Sequence, residues 1–126
     1  MQQISLAIVG VQHPNKRGPS RRFDLALCRP GDPLELRPEP SNPHDPRAIA
    51  VFSERDVQLG YISAERASLI GKRIRDGGVV AVFQEATHWG AIARVAFDGQ
   101  APALPAARIP FGGIPDFYPD DIYPED

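Results

Sequence analysis

Apolar residues in this chain come in short runs and short alternations that suit strands better than long helices. Ile4 to Val9 is a run of strand length that stops at Gly10. Phe23, Leu25 and Leu27 alternate with Asp24, Ala26 and Cys28, a period of two that predicts a second strand. Arg29-Pro30-Gly31 reads as a turn, and Leu34 and Leu36 alternate with Glu35 and Arg37 in a third strand that Pro38 and Pro40 end or confine to an edge. Ala48 to Phe52 and Val57 to Ile62 predict two more. Ser63 is placed as a helix N-cap with Glu65 in the first turn. Ala67, Ile70, Gly71 and Ile74 then share one helical face, and Asp76-Gly77-Gly78 stops the helix. Val79 to Phe83 and Ala91 to Phe97 complete the set as strands joined by a polar turn holding His88 and Trp89. Five strands, one principal helix and two further strands, with turn signals at short intervals, predict a mainly β fold. A small OB-like β-barrel, modified and partly open, fits this order better than a sandwich.

Composition sharpens that picture. The 14 prolines cluster, with Pro38, Pro40, Pro43 and Pro46 in one stretch and six after residue 101, which rules out an all-helical fold. The formal charge of −2 hides an asymmetry. Residues 1–99 carry 13 basic and 11 acidic side chains, whereas 100–126 carry one basic and five acidic. The first 22 residues hold Lys16, Arg17, Arg21 and Arg22 and no acid. A single cysteine, Cys28, excludes an internal disulfide or a thiolate zinc site and suggests a reducing compartment. The first residues lack a basic leader, and their apolar run is too short for a signal peptide or a span. A cytoplasmic location with no membrane partner is therefore expected.

Chemistry-bearing motifs are few. No Gly-rich phosphate loop and no G-x-S-x-G is present, and Cys28 has no local support for a lowered pKa. His13, His44 and His88 are widely spaced, and without a paired ligand spacing they predict no metal site. An enzyme is not expected, nor is a cofactor. The informative stretch is Glu39-Pro40-Ser41-Asn42-Pro43-His44-Asp45-Pro46-Arg47, leading into Ala48 to Val51. Its prolines make a stiff extended loop that needs little further ordering on binding. Asn42 offers donors and acceptors, His44 a flat ring and Asp45 a carboxylate, which is what a nucleotide end requires. An Asx-type turn, in which Asn42 and Asp45 bond their own backbone, accounts for the same residues, and both readings stay open.

The pattern E-P-x-N-P-x-D-x-x-A-I-x-V, followed by Leu59-Gly60-Tyr61-Ile62 and an alanine-bearing helix, resembles the HIRAN domain. Ile8-Val9-Gly10 and Pro30 to Leu36 also fit it, so the resemblance covers roughly residues 4–97. HIRAN domains occur in fork-remodelling ATPases and as small free-standing bacterial proteins. The resemblance implies a barrel over residues 1–99 that binds single-stranded DNA at a free 3′-hydroxyl end. DNA repair or replication-fork processing would be its setting, with a helicase or nuclease as partner protein. Carried over by position, Asp45 would accept a bond from the terminal hydroxyl, His44 would stack on a terminal base, Asn42 would fix the same end, and Tyr61 would line the pocket. Phe83 or Trp89 would add a stacking face.

The chain departs from the family at two places. Gln12, His13 and Pro14 stand where an arginine and tyrosines follow the first strand, leaving His13 as the candidate there, and Ala64 stands where a lysine is expected. Arg66, or the loop from Lys16 to Arg22 with Arg21 and Arg22, would have to supply the missing cations, and Arg73 and Arg75 could extend the path. Histidine in place of tyrosine at position 44 makes stacking weaker and dependent on pH. A rival from another class is a protein-interaction adaptor that keeps the barrel but has lost DNA binding.

Residues 100–126 form a Pro-rich acidic tail with Phe111, Phe117, Tyr118 and Tyr123. It reads as a flexible extension, a partner-docking motif or a DNA mimic that covers the basic loop.

Overall fold

The computed structural model describes residues 2–105. Six strands and two helices follow in the order β1 (Gln3–Val9), α1 (Arg21–Leu27), β2 (Pro33–Pro38), β3 (Ile49–Ser53), β4 (Gln58–Ile62), α2 (Ala64–Asp76), β5 (Val80–Ala86) and β6 (Ala91–Ala96). All strand pairs are antiparallel, and the ring β1-β4-β3-β2-β5-β6 closes. The mainly β, OB-like barrel expected from the sequence is what the chain forms, with closure complete rather than partial.

The ring is uneven. β1 pairs with β6 from Gln3 to Ile8, but meets β4 only at Ile8 against Ile62 and Val9 against Tyr61. β2 likewise runs along β3 and touches β5 only through Pro33 and Leu34. Register shifts at Val51/Phe52 and Phe83/Glu85 add the local twist that a small barrel needs. At the β1–β4 seam Gly60 is required, because a Cβ there would run into the Val9 carbonyl of the facing strand. The core is aliphatic: Leu6, Ile8, Ile49, Val51, Leu59 and Val95 are fully buried inside the barrel. α2 adds Ala67 and Ile70 to it and ends at Gly77, which has φ +92° and donates its N–H to the carbonyls of Arg73 and Ile74.

One sequence expectation is overturned. The alternating stretch Phe23–Cys28 is not a strand but belongs to α1 and its cap. Ser20 stands at the N-cap, and its Oγ accepts from the Phe23 N–H at 3.0 Å. The helix then turns its polar side inward. Asp24 is buried on Arg55, whose Nε lies 3.0 Å from Oδ1 and Nη2 3.2 Å from Oδ2. Leu25 is buried beside it, while Phe23 and Leu27 stay 62% and 47% exposed. Alternation places the three apolar residues on one buried face, but Arg21 and Asp24 take the inward positions, held by Asn15, Gly10 and the distant Arg55.

Past β6 the chain turns back along the barrel. The Ala103 N–H donates to Gln3 Oε1 at 2.9 Å, and Pro102 is buried. The remainder of the acidic tail, from residue 106 and including Phe111, Phe117, Tyr118 and Tyr123, lies outside the described residues. Among the described residues no helix is long and apolar enough to cross a membrane.

Candidate nucleic-acid interface

Three segments meet at the end of the β1–β4 seam. β1 delivers Val9, Gly10 and, one turn later, His13. The loop between β2 and β3 delivers Asn42, His44, Asp45 and Ala48. β4 and the first turns of α2 close the site with Tyr61, Ile62, Ala64 and Ala67. They enclose an open cleft of about 360 Å3. Five residues singled out from the sequence, His13, Asn42, His44, Asp45 and Tyr61, thus line one cavity although they span nearly fifty positions.

The proline loop is held by its own side chains. Asn42 Oδ1 accepts from the backbone N–H of His44 at 2.8 Å and of Asp45 at 3.1 Å, so the Asx-type turn does form. Asn42 Nδ2 donates to Glu39 Oε1 at 3.0 Å, and the same oxygen accepts from the Tyr61 hydroxyl at 2.9 Å. Glu39 therefore joins the loop to β4. Asp45 Oδ1 accepts from the Arg47 N–H at 2.9 Å and lies 3.5 Å from Arg47 Nε. Its other oxygen, Oδ2, makes no hydrogen bond among the described residues. The His44 ring is exposed at the cleft edge.

Gly10, with φ +77°, turns the chain out of β1, and its carbonyl accepts from Arg21 Nη1 at 2.8 Å. Arg21 is buried, its Nε donates to Asn15 Oδ1, and its guanidinium sits 5.6 Å from the centre of the Tyr61 ring. Arg21 thus fixes the loop and backs the Tyr61 ring, and it does not line the cleft of Asp45. α2 brings its N-terminus to the cleft wall through Ala64, and Ser63 makes no side-chain capping bond. Free backbone N–H groups there favour an anion.

Other candidates fall elsewhere. Arg22 is exposed on α1, and Arg66 is exposed in the first turn of α2, neither lining the cleft. Trp89 stands in the β5–β6 turn, 41% exposed and outside the cleft lining, and Phe83 is buried in the core. Arg73 lies over the Phe97 ring at 4.2 Å. Glu39 went unassigned in the sequence, though its spacing to Asn42 was a usable signal: the Asn42 N–H bonds the Glu39 carbonyl, which closes a turn and brings both side chains together. Among the described residues no group of three or more His, Cys, Asp or Glu is arranged to hold a metal.

Comparison with known proteins decides the family. The HIRAN domain model matches residues 1–97. The chain belongs to the HIRAN domain family. HIRAN domains are DNA-binding rather than catalytic modules. The fold is similar to the crystal structure of the HIRAN domain of human HLTF, with a TM-score of 0.60 at 16% identity, over 75% of this chain and 74% of that one. A structure of a protein from Lactobacillus plantarum is similar too, with a TM-score of 0.56 at 18% identity, over 75% of this chain and 98% of that one. No curated protein matches the chain. The HIRAN match spans the whole barrel and includes the proline loop with Asn42, His44 and Asp45.

Proposed function

We infer that this HIRAN protein binds single-stranded DNA at a free 3′-hydroxyl end and serves DNA repair or replication-fork processing alongside a helicase or nuclease. The observation that carries the reading is the state of Asp45 in the cleft. Its carboxylate is oriented through Oδ1 by the Arg47 backbone, and Oδ2 is left without a partner among the described residues. A terminal sugar hydroxyl supplies the missing donor. His44, His13 and Tyr61 line the same cleft with flat rings, and stacking on such rings contributes about 1–3 kcal/mol per base while tolerating any sequence. The N-terminus of α2, at Ala64, offers backbone donors to a phosphate where the family's lysine is missing. The barrel extends over residues 1–99 in this reading, and the acidic tail is a separate element.

Fluorescence anisotropy with matched oligonucleotides ending in a 3′-hydroxyl, a 3′-phosphate or a blocked sugar tests the reading. The 3′-hydroxyl strand should bind tightest, and Asp45→Ala should erase the difference. Equal affinity for all three ends in the unaltered protein would remove end recognition from the picture.

A second reading has its own support. Phe23 and Leu27 lie one turn apart on the outer face of α1 and are largely exposed, which suits a protein-interaction adaptor. No binding to short single strands even at low salt would favour the adaptor.

A further inference from the structure

Tyr61 has a cavity on each side of it. Besides the cleft of Asp45, it lines a second one of about 540 Å3, walled by the loop between β1 and α1. Lys16, Arg17 and Arg21 line this second cleft together with Phe52 and Gln58. Its loop wall is built. Asn15 Nδ2 donates to the carbonyls of Pro19 and Gln58, and Asn15 Oδ1 accepts from Arg21, whose Nη1 holds the Gly10 carbonyl.

Two carboxylates also line the second cleft, and both are already engaged. Glu39 accepts from Tyr61 and Asn42. Asp56 pairs with Arg37, which also bonds Glu35 at 2.8 Å and stacks on the Phe52 ring at 3.7 Å. Lys16 and Arg17, by contrast, are exposed and form no ion pair among the described residues. The cleft therefore presents unspent positive charge beside aromatic surface, the combination that holds a phosphodiester with its base. Its volume suits a nucleotide-sized group.

Contiguity points the same way. A strand whose last sugar sits at Asp45 must lead its next unit over one rim of that cleft. On one side lies a groove that shares Ala48 and Ala67, carries Arg75 and the Arg47 that is already beside Asp45, and is lined by Pro38, Pro40 and Pro46 with no aromatic ring. On the other side, past Tyr61, Lys16 and Arg17 stand together with the Phe52 and Tyr61 rings, so only this side offers a base a stacking surface beside the charge. We propose that this second cleft takes the nucleotide next to the strand's 3′ end, with Lys16 and Arg17 contacting its phosphate and the Tyr61 ring standing between successive units. The proposal rests on the end-binding reading and adds to it a requirement for strand length.

Thymidine oligonucleotides of one to six units with free 3′-hydroxyls, measured by competition anisotropy, provide the test. In the unaltered protein, affinity should climb steeply from one unit to three. In Lys16→Ala/Arg17→Ala that climb should shrink by about tenfold, and the salt slope should fall by roughly 0.7, the value for one phosphate no longer neutralised. The mononucleotide affinity and the preference for 3′-hydroxyl over 3′-phosphate should not change. Both side chains are exposed, so the fold is not at risk, and a matching thermal melt verifies this. An unchanged climb with the end preference intact would overturn the second subsite and leave end binding standing. A uniform loss that includes the mononucleotide would overturn it too, since the cations would then act only through their general field. Absence of any end preference in the unaltered protein would fell the end-binding reading and this proposal together.

Discussion

The Tyr61 hydroxyl donates to Glu39 Oε1 across 2.9 Å, and this bond ties the wall between the two clefts to the loop that carries Asp45. Because the same oxygen accepts from Asn42, one carboxylate sets both the ring and the loop. Glu39→Ala removes two hydrogen bonds, so a stability loss of about 1–2 kcal/mol is expected in urea titrations. Affinity for a 3′-hydroxyl strand should fall by roughly tenfold, beyond what the stability loss explains, because the loop loses its preorganised shape. Glu39→Gln keeps an acceptor for Tyr61 and should restore most of the affinity.

Arg47 stands where it can soften the selectivity of Asp45. The pair is exposed, with Arg47 72% accessible, so Arg47→Ala should change stability by less than about 0.5 kcal/mol. Its effect on ligands should be uneven. A terminal phosphate loses a compensating cation while a terminal hydroxyl loses nothing, so the ratio of 3′-hydroxyl to 3′-phosphate affinity should rise about threefold to tenfold, read by the same anisotropy series.

Asp24 is 1% exposed, and its carboxylate is matched by Arg55 from the β3–β4 turn. Arg55→Ala strands a charge in the interior and should lower the melting temperature by roughly 10 °C. Pairing it with Asp24→Leu should recover much of that loss, because the buried charge goes with its partner. A double variant that melts no higher than Arg55→Ala would show that the pair does more than neutralise a buried acid.

Burial pushes the Cys28 thiol above its ordinary range, against the lowering influence of Arg55 and with a further rise from Asp24. The folded protein therefore holds this proton more tightly than the unfolded chain. Stability tied to it is complete at neutral pH and is lost as pH rises from the ordinary thiol value towards the raised one. Iodoacetamide should label Cys28 more slowly than a small free thiol at neutral pH, catching up only in strong alkali. Arg55→Ala should move that labelling profile further up.

Much of this architecture is written locally. All six strands and α2 announce themselves because their apolar residues face one barrel interior, and the periods of two and 3.6 survive in the sequence. α1 is illegible for the opposite reason: its buried face carries Arg21 and Asp24, whose partners are Asn15, Gly10 and the distant Arg55. Without those partners in view, Phe23, Leu25 and Leu27 look like a strand. The site divides in the same way. Asn42, His44 and Asp45 could be found because one stiff loop holds them, and Tyr61 because it follows at a fixed spacing in the motif. Glu39 left only its three-residue spacing to Asn42 as a trace, and Lys16 and Arg17 only their place in a basic loop; the bond to Tyr61 and the second cleft itself depend on β4 passing between the two loops. Arg21 stands out in the sequence only by its charge, and both its bond to the Gly10 carbonyl and its place in the lining of the second cleft are tertiary facts.

The thin junction of β1 and β4 gives the cleft a mechanical meaning. The barrel is two three-stranded halves, β4-β3-β2 and β5-β6-β1, sewn together by Ile8 on Ile62 and Val9 on Tyr61 along one side and by Pro33 and Leu34 along the other. Val9, Gly10 and His13 belong to one half, while Asn42, Asp45 and Tyr61 belong to the other. Anything gripped between them acts as an extra stitch. Breathing of the barrel and occupancy of the cleft are then one equilibrium seen from two sides, so a bound strand end should slow amide exchange first at Val9 and Tyr61, far sooner than along β5 and β6.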